Sequence, residues 1–395
     1  MTVDIYFIQF LKDDEVSVGG GGIGTLISYL CPVLENLGHE VTVYQCAGRQ
    51  FEATRGNTRV VGVPGYPGRG RPNEKVVQSL RELAEQRAHT KERIEIFAGD
   101  FFSIKNSNPL AICVQNGLAW DSEISLLTPK RLYHTPLGEK LFRYRCQLRG
   151  LRRFETCHNR VAVDLYFLNW YRSFRGPNFQ GRLFYNPNPA PISGWDSTRE
   201  NAHAPSKPIR IIFARRFVPE KGTRMIAEVL KKLLTLRPYL TVTLAGEGPD
   251  RDFLIKTFSN DTRVTITTYK TEDTVKIHKA HDIAVIPSLC GEATCLSVLE
   301  AMAAGCAVVA TNMGGTITEI LDGFNGFLCW PTPDSLLDAL LKLIDFPEER
   351  LSVQKCGWET SQKAFSMKQW ESRWRSLIEE VVEGESQARK RIRGL

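Results

Sequence analysis

Arg215, Arg216 and Lys221 follow an apolar run at 209–214 and are closed by Gly222. Cations at the end of a strand suit a diphosphate: a guanidinium grips two oxygens in a fork, and an ammonium acts as a mobile point charge. Arg216 is assigned the fork and Lys221 the point charge. A second constellation lies at 287–305, where a strand ending at Pro287 gives way to a loop carrying Glu292. A helix beginning near Thr294 to Ser297 then carries Glu300. The N–H groups at such a helix start favour a phosphate. A carboxylate beside a diphosphate would repel it, so Glu292 and Glu300 are expected to accept hydrogen bonds from hydroxyls, one at each end of a nucleotide sugar.

Other stretches could do chemistry too. Gly19-Gly20-Gly21-Gly22-Ile23-Gly24 precedes an apolar stripe of Ile23, Leu26, Ile27, Leu30 and Leu34, with Pro32 expected to kink the helix. The run formally matches G-x-G-x-x-G. It stands too far from its strand, however, and the next strand ends Val43-Tyr44-Gln45-Cys46 without the acid that a dinucleotide ribose needs. An NAD-dependent oxidoreductase is therefore disfavoured, and the loop is read as an active-site backbone element. Gly246-Glu247-Gly248-Pro249 serves equally as a plain turn or as a ligand contact. Asp250-Arg251-Asp252 has the look of a metal string but sits at a helix start, where acids complement the dipole. No metal is expected, and activity should survive excess chelator. Lys140, Arg143, Arg145, Arg149, Arg152 and Arg153, interleaved with Phe142, Tyr144, Leu148 and Leu151, make residues 140–153 a candidate contact for an anionic membrane or an acidic acceptor.

These groups must be positioned by a chain of 395 residues, long enough for two domains. Strands are expected at 3–10, 40–44, 110–114, 160–164, 209–214, 240–245, 263–267, 282–287 and 307–310, several of them apolar on both faces, with amphipathic helices between. That alternation means an α/β class: two facing Rossmann-like doubly wound domains with an interdomain cleft, where such sheets bind ligands. The proline-rich stretch 186–208 is the expected linker. The domains are then 1–190 and 205–360. Residues 361–395 form a final helix with Trp370, Trp374, Leu377, Ile378, Val381 and Val382 on one side, plus a basic tail. The formal net charge of +7 fits an anionic small molecule or surface and does not call for nucleic acid. None of the ten cysteines stands in a C-x-x-C pair, so reduced core cysteines and a cytoplasmic location are expected. The first residues read as a strand rather than a secretory leader.

The region 209–330 resembles the donor-binding half of the retaining glycosyltransferases of the GT-B fold known as family 4. That family shows a G-R-x-x-P-E-K-G turn, an x-G-x-G-P turn, an E-G-x-G-x-x-x-x-E-A-M-A-x-G segment and a downstream G-G…E…G…N-G-x-L segment. This chain supplies Arg216…Pro219-Glu220-Lys221-Gly222, Gly246-Glu247-Gly248-Pro249, Glu292…Glu300-Ala301-Met302-Ala303-Ala304-Gly305 and Gly314-Gly315…Glu319…Asn325-Gly326-Phe327-Leu328. Cys295 stands where the family has Gly, Ala307 replaces a Pro, and Thr268 replaces a Gly near the nucleobase. The acceptor half matches only in its glycine loop and at Gly38-His39-Glu40-Val41.

The resemblance implies metal-independent transfer of a hexosyl unit from a nucleoside diphosphate sugar to a carbohydrate, lipid or small-molecule hydroxyl, with retention of configuration and no cofactor. Arg216 and Lys221 would bind the diphosphate, Glu300 the ribose and Glu292 the transferred sugar. The backbone at Ala293, Thr294, Cys295 and Leu296 would meet phosphate and sugar, and Gly21 and Gly22 the acceptor side of the diphosphate. Asn116 would substitute for a histidine that the N-terminal domain of the family often offers. The final helix is similar to one that crosses back to the N-terminal domain. A non-catalytic nucleotide-sugar-binding protein is the alternative, disfavoured because both glutamates and both cations are intact.

Overall fold

Short apolar runs bounded by glycine, proline and polar turns form the strands of this chain, and the longer amphipathic stretches between them form helices. The computed structural model describes residues 1–19, 21–65, 74–89, 92–128, 130–176, 179–201 and 208–393. Side chains beyond 385 lie outside the described residues. The basic side chains of the tail fall there, as do 202–207 of the expected linker.

By contacts the chain divides into two units. The first comprises Met1–Asn116, Arg145–Pro187 and Trp370–Leu395, the second Gly117–Tyr144 and Asn188–Gln369. Residues 117–144, read from sequence as part of domain 1–190, thus group with the second unit. Strand pairing described below is the reason.

The strands of the first half of the sequence are β1 (Thr2–Phe7), β2 (Glu40–Ala47), β3 (Phe51–Arg55), β4 (Thr58–Pro64), β5 (Arg93–Phe97), β6 (Ala111–Val114), β7 (Leu118–Ser122), β8 (Asn159–Ala162) and β9 (Arg182–Tyr185). Except for β7 they form one sheet in the order β3-β4-β2-β1-β5-β6-β8-β9, with β3–β4 antiparallel and the other pairs parallel. The helix Gly21–Asn36 runs unbroken past Pro32 and packs Ile27, Leu30, Val33 and Leu34 inward. The final helix, Met367–Arg393, buries Trp370, Trp374, Leu377, Ile378 and Val381, and within the first unit Trp370 meets Tyr29 edge-on.

The second unit has β10 (Arg210–Ala214), β11 (Thr241–Ala245), β12 (Val264–Thr267), β13 (Ile283–Ile286), β14 (Cys290–Gly291), β15 (Ala307–Thr311) and β16 (Phe327–Cys329). Its sheet runs β12-β11-β10-β13-β15-β16, all parallel. The apolar stripe of the helix Thr223–Leu236 is buried: Met225, Ile226, Val229, Leu230, Leu233 and Leu234 pack on one face of this sheet. Val298, Ala301 and Met302 of the helix Leu296–Ala303 pack on the other. Both units are doubly wound α/β sheets, as expected. β14 joins neither sheet and pairs antiparallel with β7, which ties residues 117–144 to the second unit.

Candidate active site

The second sheet reverses its winding between β10 and β13, and in open α/β sheets ligands gather outside the strand ends at that reversal. Arg215 leaves the end of β10, and Ser288 lies just past the end of β13. The two meet, Arg215 Nη1 donating to Ser288 Oγ. Both converge with Lys221 on one carboxylate. Glu292 Oε1 accepts from Arg215 Nη2 at 2.9 Å, from Lys221 Nζ at 2.7 Å, and from Ser288 Oγ. Burial opposes the charge of Glu292. The two cations and the bonds from Lys221 and Ser288 outweigh it and hold the carboxyl well below its usual range.

The turn bearing Lys221 is fixed by close backbone approach. Gly222 adopts φ 76°, and a Cβ there would lie 1.9 Å from Pro287 O. Leu289 N–H donates to Glu220 O at 3.0 Å, which lays the turn against the loop of Glu292. On the other side Gly315 N–H donates to Glu292 O at 2.6 Å. Gly314, at φ 60°, stands so near that a Cβ would come within 2.3 Å of the same oxygen. Gly314 N–H donates to Asp121 Oδ2 at 2.6 Å, so strand β7 buttresses the loop as well.

Glu300 is half-buried in the second turn of the helix Leu296–Ala303. Burial pushes its carboxyl up to about 8, and the charge of Arg215 opposes this only in part. Tyr269 faces it. The phenol donates to Ala214 O at 3.3 Å, and burial followed by the charge of Glu300 raises its pKa. Ahead of Glu300 the loop descends from half-buried Ala293 through buried Thr294 and Cys295 to Leu296, where the helix begins. Asn188 Nδ2 anchors it by donating to Thr294 O at 3.0 Å.

The structure thus brings Lys221 and Glu292 together, with Glu300 on the adjoining helix under the influence of the same Arg215. Arg216, given the fork from sequence, is exposed at the same strand end, and the cation on Glu292 is Arg215. Asp121, Asn188 and Tyr269 had no signal in the motifs, and Ser288 lay within the stretch 287–305 but was given no role. The turn Gly246 to Pro249 is scaffold: Glu247 O accepts from Phe217 N–H at 2.7 Å, and Phe217 O accepts from Asp250 N–H at 3.0 Å. Of the metal-like string, buried Asp250 is ion-paired with Arg224 at 3.1 Å, whereas Asp252 is exposed.

In the first unit, Gly21 and Gly22 form the exposed first turn of the helix Gly21–Asn36, and Gly20 lies outside the described residues. Asn116 Nδ2 donates to Ala98 O at 2.7 Å, linking the ends of β5 and β6. On the basic helix Pro136–Phe154, Arg143 is bonded to Glu139 and to Trp120 O, while Lys140, Arg145, Arg149 and Arg152 are exposed. So are Leu137, Leu141 and Tyr144, at 79%, 52% and 50%. Among the described residues no helix is long and apolar enough to cross a membrane.

Residues 196–357 match the family described as glycosyl transferases group 1. A lipopolysaccharide 1,2-N-acetylglucosaminetransferase of Salmonella typhimurium is 25% identical over 198 residues, 44% of this chain and 52% of that protein. The chain therefore spans about half the length of that curated relative. Sucrose-phosphate synthase from Thermosynechococcus elongatus superposes with a TM-score of 0.75 at 15% identity, covering 97% of this chain and 99% of that one. HepE of Anabaena, solved with UDP and glucose, does so with a TM-score of 0.64 at 14% identity, over 98% and 100% of the two chains. Residues 196–357 thus carry the likeness to the glycosyl transferases group 1 family, and the two Rossmann-like units have the GT-B fold.

Proposed function

We propose that the protein is a glycosyltransferase that moves a hexosyl unit from a nucleoside diphosphate sugar to a hydroxyl acceptor, with retention of configuration and without a metal. The observation that carries this reading is the convergence of Arg215, Lys221 and Ser288 on Glu292 at the strand-order reversal. Two cations against one carboxylate leave a net positive charge there, and an incoming diphosphate matches it. Uridine is the favoured base, because HepE was solved with UDP and glucose.

The costly step is departure of the diphosphate as the sugar takes on oxocarbenium character. Lys221, Arg216 and the N–H groups at the start of the helix Leu296–Ala303 stabilise the charge that grows on the phosphate oxygens. Glu292 accepts a hydrogen bond from the transferred sugar, and Glu300 accepts from the ribose. Gly21 and Gly22 let backbone approach the diphosphate from its acceptor side, where Asn116 also contributes. The acceptor hydroxyl attacks the face that the diphosphate leaves and passes its proton to a departing phosphate oxygen, so retention needs no protein base. A carbohydrate or lipid-linked acceptor fits the exposed Leu137, Leu141 and Tyr144 with the neighbouring cations. These spacings put an apolar strip and a basic strip on one helix, suited to an anionic membrane surface.

The test is turnover of UDP-glucose, UDP-N-acetylglucosamine and GDP-mannose without acceptor, with and without EDTA. Slow release of free sugar, unchanged by chelator, is the expected result. Binding in a thermal-shift assay with no release of sugar would make the protein a binder. Loss of turnover in EDTA would remove the metal-free mechanism.

A further inference from the structure

The family turn G-R-x-x-P-E-K-G has a glycine where this chain has Arg215, and the E-G-x-G run has one where it has Cys295. The two departures touch, Arg215 Nη2 lying 3.8 Å from Cys295 Sγ. We propose that they form one device, in which Arg215 is a positioning residue that permanently holds Oε1 of Glu292, so that Oε2 is presented to the transferred sugar and Lys221 is released to the diphosphate. The inference rests on the proposed function and adds a division of labour between the two cations.

Three observations carry it. Every hydrogen bond to the Glu292 carboxylate falls on Oε1, and among the described residues Oε2 receives none. The three donors fix the plane of the carboxylate from one side and leave an acceptor on the other. Arg215 is also unsuited to follow a ligand. Its side chain is 6% exposed, and its fork is spent on Ser288 and Glu292. Lys221 makes a single bond from the end of a flexible stem and can leave it. Finally, the thiol at 295 does not compete for the cation. Burial, and then the charge of Glu292, push it up to about 12, so it stays neutral and only fills the space beside the guanidinium.

With glycine at 215, the departure of Lys221 to a phosphate would leave Glu292 buried beside Ser288 with no counter-ion, and the carboxyl would take up a proton. Arg215 keeps Glu292 ionised through the whole cycle.

The test compares Arg215→Met, Arg215→Lys and Cys295→Gly for donor turnover across pH. Arg215→Met is expected to lower kcat about a hundredfold through loss of alignment. Donor KM should change less than about threefold, because Arg215 does not touch the donor. The acid limb of kcat should move to higher pH, since a carboxylate that loses a cation protonates sooner. Arg215→Lys should restore part of kcat and return the limb, and Cys295→Gly should give a smaller loss of kcat alone. An unchanged kcat with a raised KM would make Arg215 a diphosphate ligand and overturn the inference, and so would an unmoved acid limb. Should the unaltered protein release no sugar from any donor, the proposed function fails separately. The pairing is then read from thermal unfolding of Arg215→Met, Glu292→Gln and the double variant. Non-additive Tm shifts are expected, and strictly additive ones would end the inference.

Discussion

Two buried charge clusters, one in each unit, have opposite character. In the first unit, Glu95 lies fully inside the sheet at β5. Its Oε1 accepts from Tyr6 Oη at 3.2 Å, Arg81 Nε at 2.7 Å and Arg93 Nη2 at 3.4 Å. Its Oε2 accepts from Arg81 Nη2 at 3.2 Å and Asn108 Nδ2 at 3.0 Å. Arg93 closes the set on Asp4 and Glu85. Both oxygens are used, and acids outnumber cations, so Asp4 is pushed up to about 7 by burial, with Arg93 opposing and Glu95 reinforcing. In the second unit, Glu292 uses one oxygen, and cations outnumber the acid. A closed set of buried ions holds strands in place. An open one with surplus charge at a strand end has a vacancy in its hydrogen bonding, and that vacancy is what a substrate can fill.

Breaking the open cluster should show in rate rather than in stability. Glu292→Gln or Lys221→Ala is expected to cut donor turnover by about 10²–10³-fold, as loss of a preorganised electrostatic partner does elsewhere. Their Tm shifts should be small beside those of the closed cluster. A collapse of Tm with turnover per folded molecule intact would reverse the assignment of the two clusters.

The converse holds for Glu95→Gln. It leaves Arg81 without its buried counter-ion, while Arg93 keeps Asp4, and should cost about 3–5 kcal/mol in denaturant unfolding. The turnover of the molecules that remain folded should be preserved.

The smallest effect sharpens the comparison at Glu300. Its folded-state pKa, about 8, lies above the ordinary carboxyl value of 4.5, so the folded protein holds the proton more tightly. Stability is therefore lost as pH rises through that window. Glu300→Gln removes this dependence. It should raise Tm most above pH 8 and scarcely at pH 4, while weakening donor binding at both ends. A Tm gain independent of pH would mean that Glu300 does not titrate in this range.

The sequence made the second unit far more legible than the first. Strands β10, β13 and β15 are largely continuous apolar runs, β11 alternates threonine with apolar residues, and each falls within a residue or two of its expected bounds. Strand β5 escaped notice because Arg93 and Glu95 interrupt its apolar residues. Their partners, Asp4 and Arg81, are remote in sequence, so nothing local announces that these charges are neutralised inside. Strands β3 and β4 were missed for a related reason, since their hairpin alternates polar residues such as Glu52, Thr54 and Arg59. At the site, motif spacing found Lys221, Glu292 and Glu300 but gave the second cation to Arg216. Neighbouring residues at the end of a strand face opposite ways, and spacing alone does not tell which of two adjacent arginines turns inward.

Strand β7 gives the donor loop a long reach back along the chain. Leu118 and Asp121 come from the first third of the sequence, yet they pack against Gly291 and hold Gly314, the residues flanking Glu292. A fragment cut at the linker, 188–369, would carry every donor motif and still lack that strap. The second unit is thus not a detachable cassette, because one of its walls is encoded ahead of it.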